Sequence, residues 1–159
     1  MIIFRKPVPG VSEASLGRFV VKAARAAKLK GTVSVLVTTS RELRVLNRRF
    51  RGHDKPTDVL SFPPITEFAD DIAGDIAISA QIAAKNARQM GHSPADEIKT
   101  LALHGVLHLA GYDHEQDEGV MAKKEESLRR SLRLPVALIQ RTRQPRGVKP
   151  AGRSARPPR

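Results

Sequence analysis

The sequence predicts an α+β fold: a compact single domain in which a small mixed β-sheet packs against about five helices, with the helix that carries His104 and His108 central and buried. Three observations predict it. Short β-branched runs alternate with segments whose apolar residues recur at i, i+3 and i+4. Ser, Gly and Pro stand at the joints between those segments, where caps and turns need them. Residues 98–109 are apolar nearly all round, and a helix of that kind is stable only when covered on every side.

The elements follow in order. Ile2, Ile3 and Phe4 form a short edge strand. Ser12 or Ser15 caps a helix to about Lys28, with Leu16, Phe19, Val20, Ala23, Ala24 and Ala27 on one face and Gly31 as its stop. Thr32–Thr38 is β-branched and reads as a strand. From Ser40 a helix places Leu43, Leu46, Asn47 and Phe50 on successive turns, several arginines outside, and ends near Arg51 and Gly52. Residues 58–62 form a strand between prolines, residues 65–73 an acidic loop, and residues 74–79 another strand. Ser79 or Ala80 starts a helix that Gly91 closes. Ser93, Pro94, Asp96 and Glu97 then combine a capping serine, a first-turn proline and acids at the positive helix end. A last helix, from about Asp117 to Leu132, carries charge on most of its surface.

Composition bounds the function. The 159 residues suit one domain, and cysteine is absent, which excludes disulfides, thiolate metal sites and cysteine nucleophiles. No apolar run reaches the length of a membrane span and the N-terminus lacks a signal-peptide core, so a soluble cytoplasmic protein is expected. The net charge of +12 is unevenly placed. Ten of the 28 Lys and Arg lie between Arg129 and Arg159, where no acid occurs, which leaves residues 1–128 at a net of only +2. The expected division is a catalytic domain over residues 1–134 and a disordered Arg- and Pro-rich tail over residues 135–159, too poor in apolar residues to offset its ordering entropy.

Three of the five histidines fall in residues 101–114, LALHGVLHLAGYDH. His104 and His108 are four apart, which stacks them on one helix face, and Gly111 is placed to stop the helix so that His114 swings back toward them. A lone histidine on an apolar helix is usually a hydrogen-bonded core residue. Three around a helix-stopping glycine point instead to a metal with an open fourth position. Zinc suits three imidazoles best, although nickel, copper and iron also favour imidazole, and zinc lowers the pKa of its water to about 7, so that no strong separate base is needed. The spacing H-x₃-H-x₂-G-x₂-H also occurs in metzincin proteases, which carry Glu after the first His as general base; here that position is Gly105. Asp113 reads equally well as a partner that orients a ligand or assists proton transfer and as a turn cap, and Tyr112 as packing. His53 and His92 have no partner at ligand spacing and are expected at the surface.

The blocks HGVLHLAGYDH at 104–114, FRGHDKPTDVLSFP at 50–63 and GDIAIS at 74–79 together resemble the YbeY family, in the same order and spacing, over roughly residues 1–133. These are bacterial metal-dependent endoribonucleases of ribosomal RNA maturation. The resemblance implies a zinc ion on His104, His108 and His114, and an arginine important for activity at Arg51. It implies single-strand-specific cleavage in 16S ribosomal RNA 3′-end maturation and ribosome quality control, with ribosomal RNA precursors and ribosomal subunits as partners. The Arg51 side chain fits chemically, since a guanidinium offers a two-pronged charged donor to phosphate oxygens. By spacing alone it is one of four arginines between Arg44 and Arg51, and a solvated charge is the simpler reading. Lys55, Thr57 and Ser61 are candidate phosphate or sugar contacts. The long tail departs from the family pattern; it reads as a non-specific RNA anchor or as a solubilising extension. Two other functions fit the histidines: a metallohydrolase of another substrate, such as a metzincin-like peptidase lacking its Glu, or a non-catalytic ribosome assembly factor with a structural zinc.

Overall fold

The computed structural model describes residues 1–65, 71–113 and 119–135. Among them the order is β1 (Ile2–Phe4), α1 (Glu13–Ala26), β2 (Thr32–Thr38), α2 (Ser40–Arg51), β3 (Val59–Phe62), β4 (Ile72–Ser79), α3 (Ala80–Met90), α4 (Pro94–Leu109) and α5 (Val120–Ser131). The α+β expectation, a small mixed sheet against five helices, holds. The expected disorder of the tail falls on residues 136–159, outside the described residues. No helix among the described residues is long and apolar enough to cross a membrane.

The sheet order is β1-β2-β4-β3. β1, β2 and β4 run parallel, and β3 lies antiparallel on the edge of β4. Side chains alternate between the faces along each strand. Val33, Val35, Val37, Val59, Ile76 and Ile78 point to one face, where they join α1 and α4 in the main core. Leu60 and Ala77 point to the other, where Leu43 of α2 covers them. The apolar helix predicted to be central is so: Ile98, Ala102, Leu103, Val106 and Leu107 of α4 are all fully buried.

Local capping follows the sequence closely. Both serines proposed for the start of α1 act together, because Ser12 accepts from the Ser15 amide while Ser15 Oγ accepts from the Ser12 amide. The end of α1 differs from expectation. The helix stops at Ala26, and Lys28 rather than Gly31 takes the left-handed turn, at φ 59°. Gly31 serves close packing instead: a Cβ there would lie 2.9 Å from the Ala73 amide nitrogen. β4 starts at Ile72, so the acidic loop is shorter than expected.

The expectations for His92 and Phe50 are overturned. His92 is buried, its side chain only 4% exposed, with Nε2 2.8 Å from Oε1 of a fully buried Glu97. Asn86 of α3 donates to the other Glu97 oxygen at 3.3 Å. Glu97 therefore does not merely complement the helix dipole; it ties α3 and the α3–α4 turn to the start of α4, since a buried carboxylate is stable only when its lone pairs are filled. In α5, Glu125 and Arg129 are buried although that helix reads as charged outside. Phe50 fails in the opposite sense: placed by periodicity on the apolar face of α2, it is 61% exposed.

Gly105 has a packing reason for being glycine. A Cβ at this position would stand 2.8 Å from Ile76 Cδ1 and 3.0 Å from both other branches of that side chain, which is itself buried. The helix is seated so closely on β4 that even a methyl group has no room, and a glutamate has none at all. Ser61 Oγ of β3 donates to the Gly105 carbonyl at 3.3 Å, which holds the same turn over the sheet edge.

Candidate metal centre

The last turns of α4 carry His104 and His108 as the spacing predicts. Their rings meet at 75° with centroids 4.7 Å apart, and the two Nε2 atoms are 3.1 Å apart. An N–H···N hydrogen bond spans that distance. Two ligands on one tetrahedral ion show about 3.3 Å, given metal–nitrogen bonds of about 2.0–2.1 Å. The pair is thus already close to chelating geometry.

Behind it lies a group that the sequence reading missed. His104 Nδ1 is 3.2 Å from Glu125 Oε1, and Arg129 Nη1 donates to Glu125 Oε2 at 3.3 Å. A carboxylate at Nδ1 keeps the ring proton there, so that Nε2 presents a lone pair to a metal. The Glu125 and Arg129 side chains are 7% and 2% exposed. Such a pair is retained inside a protein only when each charge has its partner. A signal was present: Met121, Glu125 and Leu128 follow at i, i+4 and i+7, so an acid sits within an otherwise apolar stripe. Replacing Glu125 by Gln is expected to lower metal affinity about 10–100-fold while leaving His104 and His108 in place. Competition with a chromophoric chelator measures this, and an unchanged affinity would dissociate Glu125 from the site.

The turn after α4 is built as predicted. Gly111 has φ 101°, its amide bonds to the His108 carbonyl at 3.0 Å, and the Tyr112 amide bonds to the Leu107 carbonyl at 3.0 Å. This paired closure satisfies the last helical carbonyls and turns the chain back. Tyr112 packs against the main core, in keeping with its packing role. His114, the third predicted ligand, lies outside the described residues. Among the described residues no three His, Cys, Asp or Glu side chains form a metal-holding group. The donor set present fits an ion that takes two imidazoles, one of them with its tautomer oriented.

Arg51 is the final residue of α2, half-buried, where a cation complements the negative end of the helix. Phe50, its neighbour, packs edge-on against Phe62 of β3, and Ser61, on the opposite face of the same strand, donates to the carbonyl of Gly105, next to His104. The loop that follows α2 is pinned by Asn47, whose Nδ2 donates to the Lys55 carbonyl at 2.9 Å. Lys55 and His53 are exposed and Thr57 half-buried, while the Ser61 hydroxyl is already engaged by α4. Arg44 grips Asp54 through Nε and Nη2 at 2.8 and 3.3 Å. These hydrogen bonds hold the Asp54 carboxyl below its ordinary range and raise the Arg44 guanidinium. The pair's contribution is present above the ordinary carboxylate pKa and fades as pH falls through the depressed one; being fully exposed, it is small.

Known proteins resemble this chain in sequence and in fold. The family described as Endoribonuclease YbeY matches residues 11–133, which take in the histidine block, Arg51 and Glu125. An Endoribonuclease YbeY of Koribacter versatilis is 57% identical over 145 residues, 91% of this chain and 93% of the relative. Those of Nautilia profundicola and Solibacter usitatus are 48% and 41% identical over 109 and 140 residues, covering 69% and 88% of this chain and 78% and 92% of the relatives. The solution structure of TM1509 from Thermotoga maritima superposes with a TM-score of 0.56 at 29% identity, covering 87% of this chain and 95% of that one. The three sequence blocks, the sheet that brings them together and these matches agree: the chain belongs to the endoribonuclease YbeY family.

Proposed function

We propose that this chain is a metal-dependent endoribonuclease that cleaves single-stranded segments of ribosomal RNA precursors in the cytoplasm, including 16S 3′-end maturation. Zinc is held by His104, His108 and His114, and Arg51 faces the scissile phosphate. The observation that carries the reading is the pair of Nε2 atoms 3.1 Å apart with Glu125 fixing the proton of one ring. When bound, zinc supplies Lewis acidity and makes water a competent nucleophile near neutral pH. The chain does the rest. Glu125 orients His104, Gly105 lets α4 settle on β4, and Arg51 places a fixed positive charge where the phosphate oxygens gain charge. With Gly105 in the place of a protease's glutamate, the chain has no proton acceptor for peptide hydrolysis there, whereas Arg51 suits a phosphodiester.

Purified protein should contain about one zinc per chain. It should cut unstructured RNA, lose that activity with a chelator and regain it with zinc, and leave casein intact. Cleavage of casein without cleavage of RNA would sink the proposal, and zinc retained with neither activity would indicate a structural metal in an assembly factor.

The basic tail acts as a non-specific anchor on RNA. The match to the Koribacter versatilis relative spans 145 residues, so it extends past Pro135 and takes in part of this tail. Removing residues 136–159 is expected to flatten the dependence of RNA affinity on salt concentration, since each neutralised phosphate releases counterions. An equal salt slope with and without the tail would leave it a solubilising extension.

A further inference from the structure

Phe50 stands apart from the rest of the apolar pattern of α2. Leu43 is buried and Leu46 packs beside it, but the Phe50 ring, next on the same stripe, is 61% exposed. Exposure has not left it unanchored. Phe62 meets it edge to face, with centroids 5.3 Å apart and planes at 67°, and the Arg49 guanidinium carbon lies 5.9 Å from its centroid. An aromatic ring held in one orientation while most of its surface faces water is a ready stacking partner.

Its surroundings suit a polyanion. Arg48, Arg49 and Lys55 are exposed around it, and the nearby acid, Asp54, is gripped by Arg44. Arg51 is the next residue in the chain. The same Phe62 that steadies the ring neighbours Ser61, which holds the turn of His104. Aromatic rings interleaved with arginines beside a hydrolytic centre are the means by which proteins hold unpaired nucleotides, the base on the ring and the phosphates on the cations.

We infer that Phe50 is a stacking shelf for an unpaired nucleobase of the RNA substrate, with the flanking phosphates on the cations at the end of α2. The inference rests on the nuclease reading above and deepens it. A base inside a duplex is covered on both faces and cannot reach the ring, so the shelf also makes cleavage selective for single strands.

The test uses the full chain with its metal removed by chelator, so that binding is read without cleavage. The probe is a single-stranded oligoribonucleotide of about ten residues containing 2-aminopurine, whose fluorescence is quenched on stacking. Quenching is expected with the unaltered protein and with Phe50→Trp. It should be lost with Phe50→Ala and with Phe50→Leu, and affinity should fall about tenfold. The leucine variant separates stacking from plain apolar contact and guards against a folding defect in the alanine variant. In the zinc-loaded enzyme the same loss falls on KM rather than on kcat. Unchanged quenching and affinity in both the Ala and Leu variants, with RNA still cleaved, would overturn the shelf alone. Failure of the unaltered protein to bind or cleave any RNA would overturn the nuclease reading beneath it.

Discussion

His108→Ala is expected to lose bound metal and RNA cleavage together, with activity down by at least about a thousandfold, because a catalytic ion contributes several kcal/mol at the transition state and each 1.4 kcal/mol is tenfold in rate. The fold should survive. Alanine is the best helix former, and His108 is half-buried at the end of α4 rather than within the core that Leu103 and Leu107 fill. Without His108 the proposed ligands fall to His104 and His114, and the helical pair that chelates the ion is lost even though Glu125 still orients His104. Metal content by elemental analysis and cleavage of unstructured RNA are the two measurements. Full activity without metal would remove the ion from the mechanism, and full metal without activity would assign His108 a role other than ligation.

Arg51→Ala should separate the two properties. The variant is expected to keep its metal and helix, since Arg51 is the last residue of α2, and that helix packs on the sheet face opposite α4. Turnover should fall about 100–1,000-fold, the usual loss when one preorganised donor to developing negative charge is removed. Arg51→Lys should recover only part of it, because a point charge cannot engage two phosphate oxygens as a planar fork does. Multiple-turnover cleavage alongside metal analysis decides the matter. Full turnover in Arg51→Ala would exclude Arg51 from the chemistry, and loss of metal in the same variant would make it a structural support of the site.

Much of the fold was legible because its signals are local. Ser93 and Pro94 starting α4, the glycine at position 111 ending it, and the serine pair at the start of α1 act within a single turn of chain. Periodicity likewise identified the buried helix, since apolar residues around its whole circumference leave no solvent face. The errors share one cause. His92 was expected outside because polar residues usually are, and what makes its burial beside Glu97, and that of Glu125 with Arg129, tolerable is a partner distant in sequence or on a neighbouring turn. Phe50 was placed inside by the same periodicity that correctly placed Leu43, but β3 is the edge of the four-stranded sheet, so among the described residues no further strand covers the last turn of α2.

For the site itself the division is similar. The sequence by itself determined which imidazoles can meet, because four residues of helix set the His104–His108 separation whatever the helix packs against. It also determined where the chain turns back, through the one residue type that accepts a left-handed backbone at Gly111. Only the tertiary structure decided that Gly105 is glycine because Ile76 leaves no space for a side chain, that Glu125 stands behind His104, and that Ser61 of β3 holds the Gly105 carbonyl. Those facts depend on how closely α4 settles on β4 and on which faces of β3 its two neighbouring helices cover. Such distances arise between elements far apart in the chain, and no local propensity specifies them.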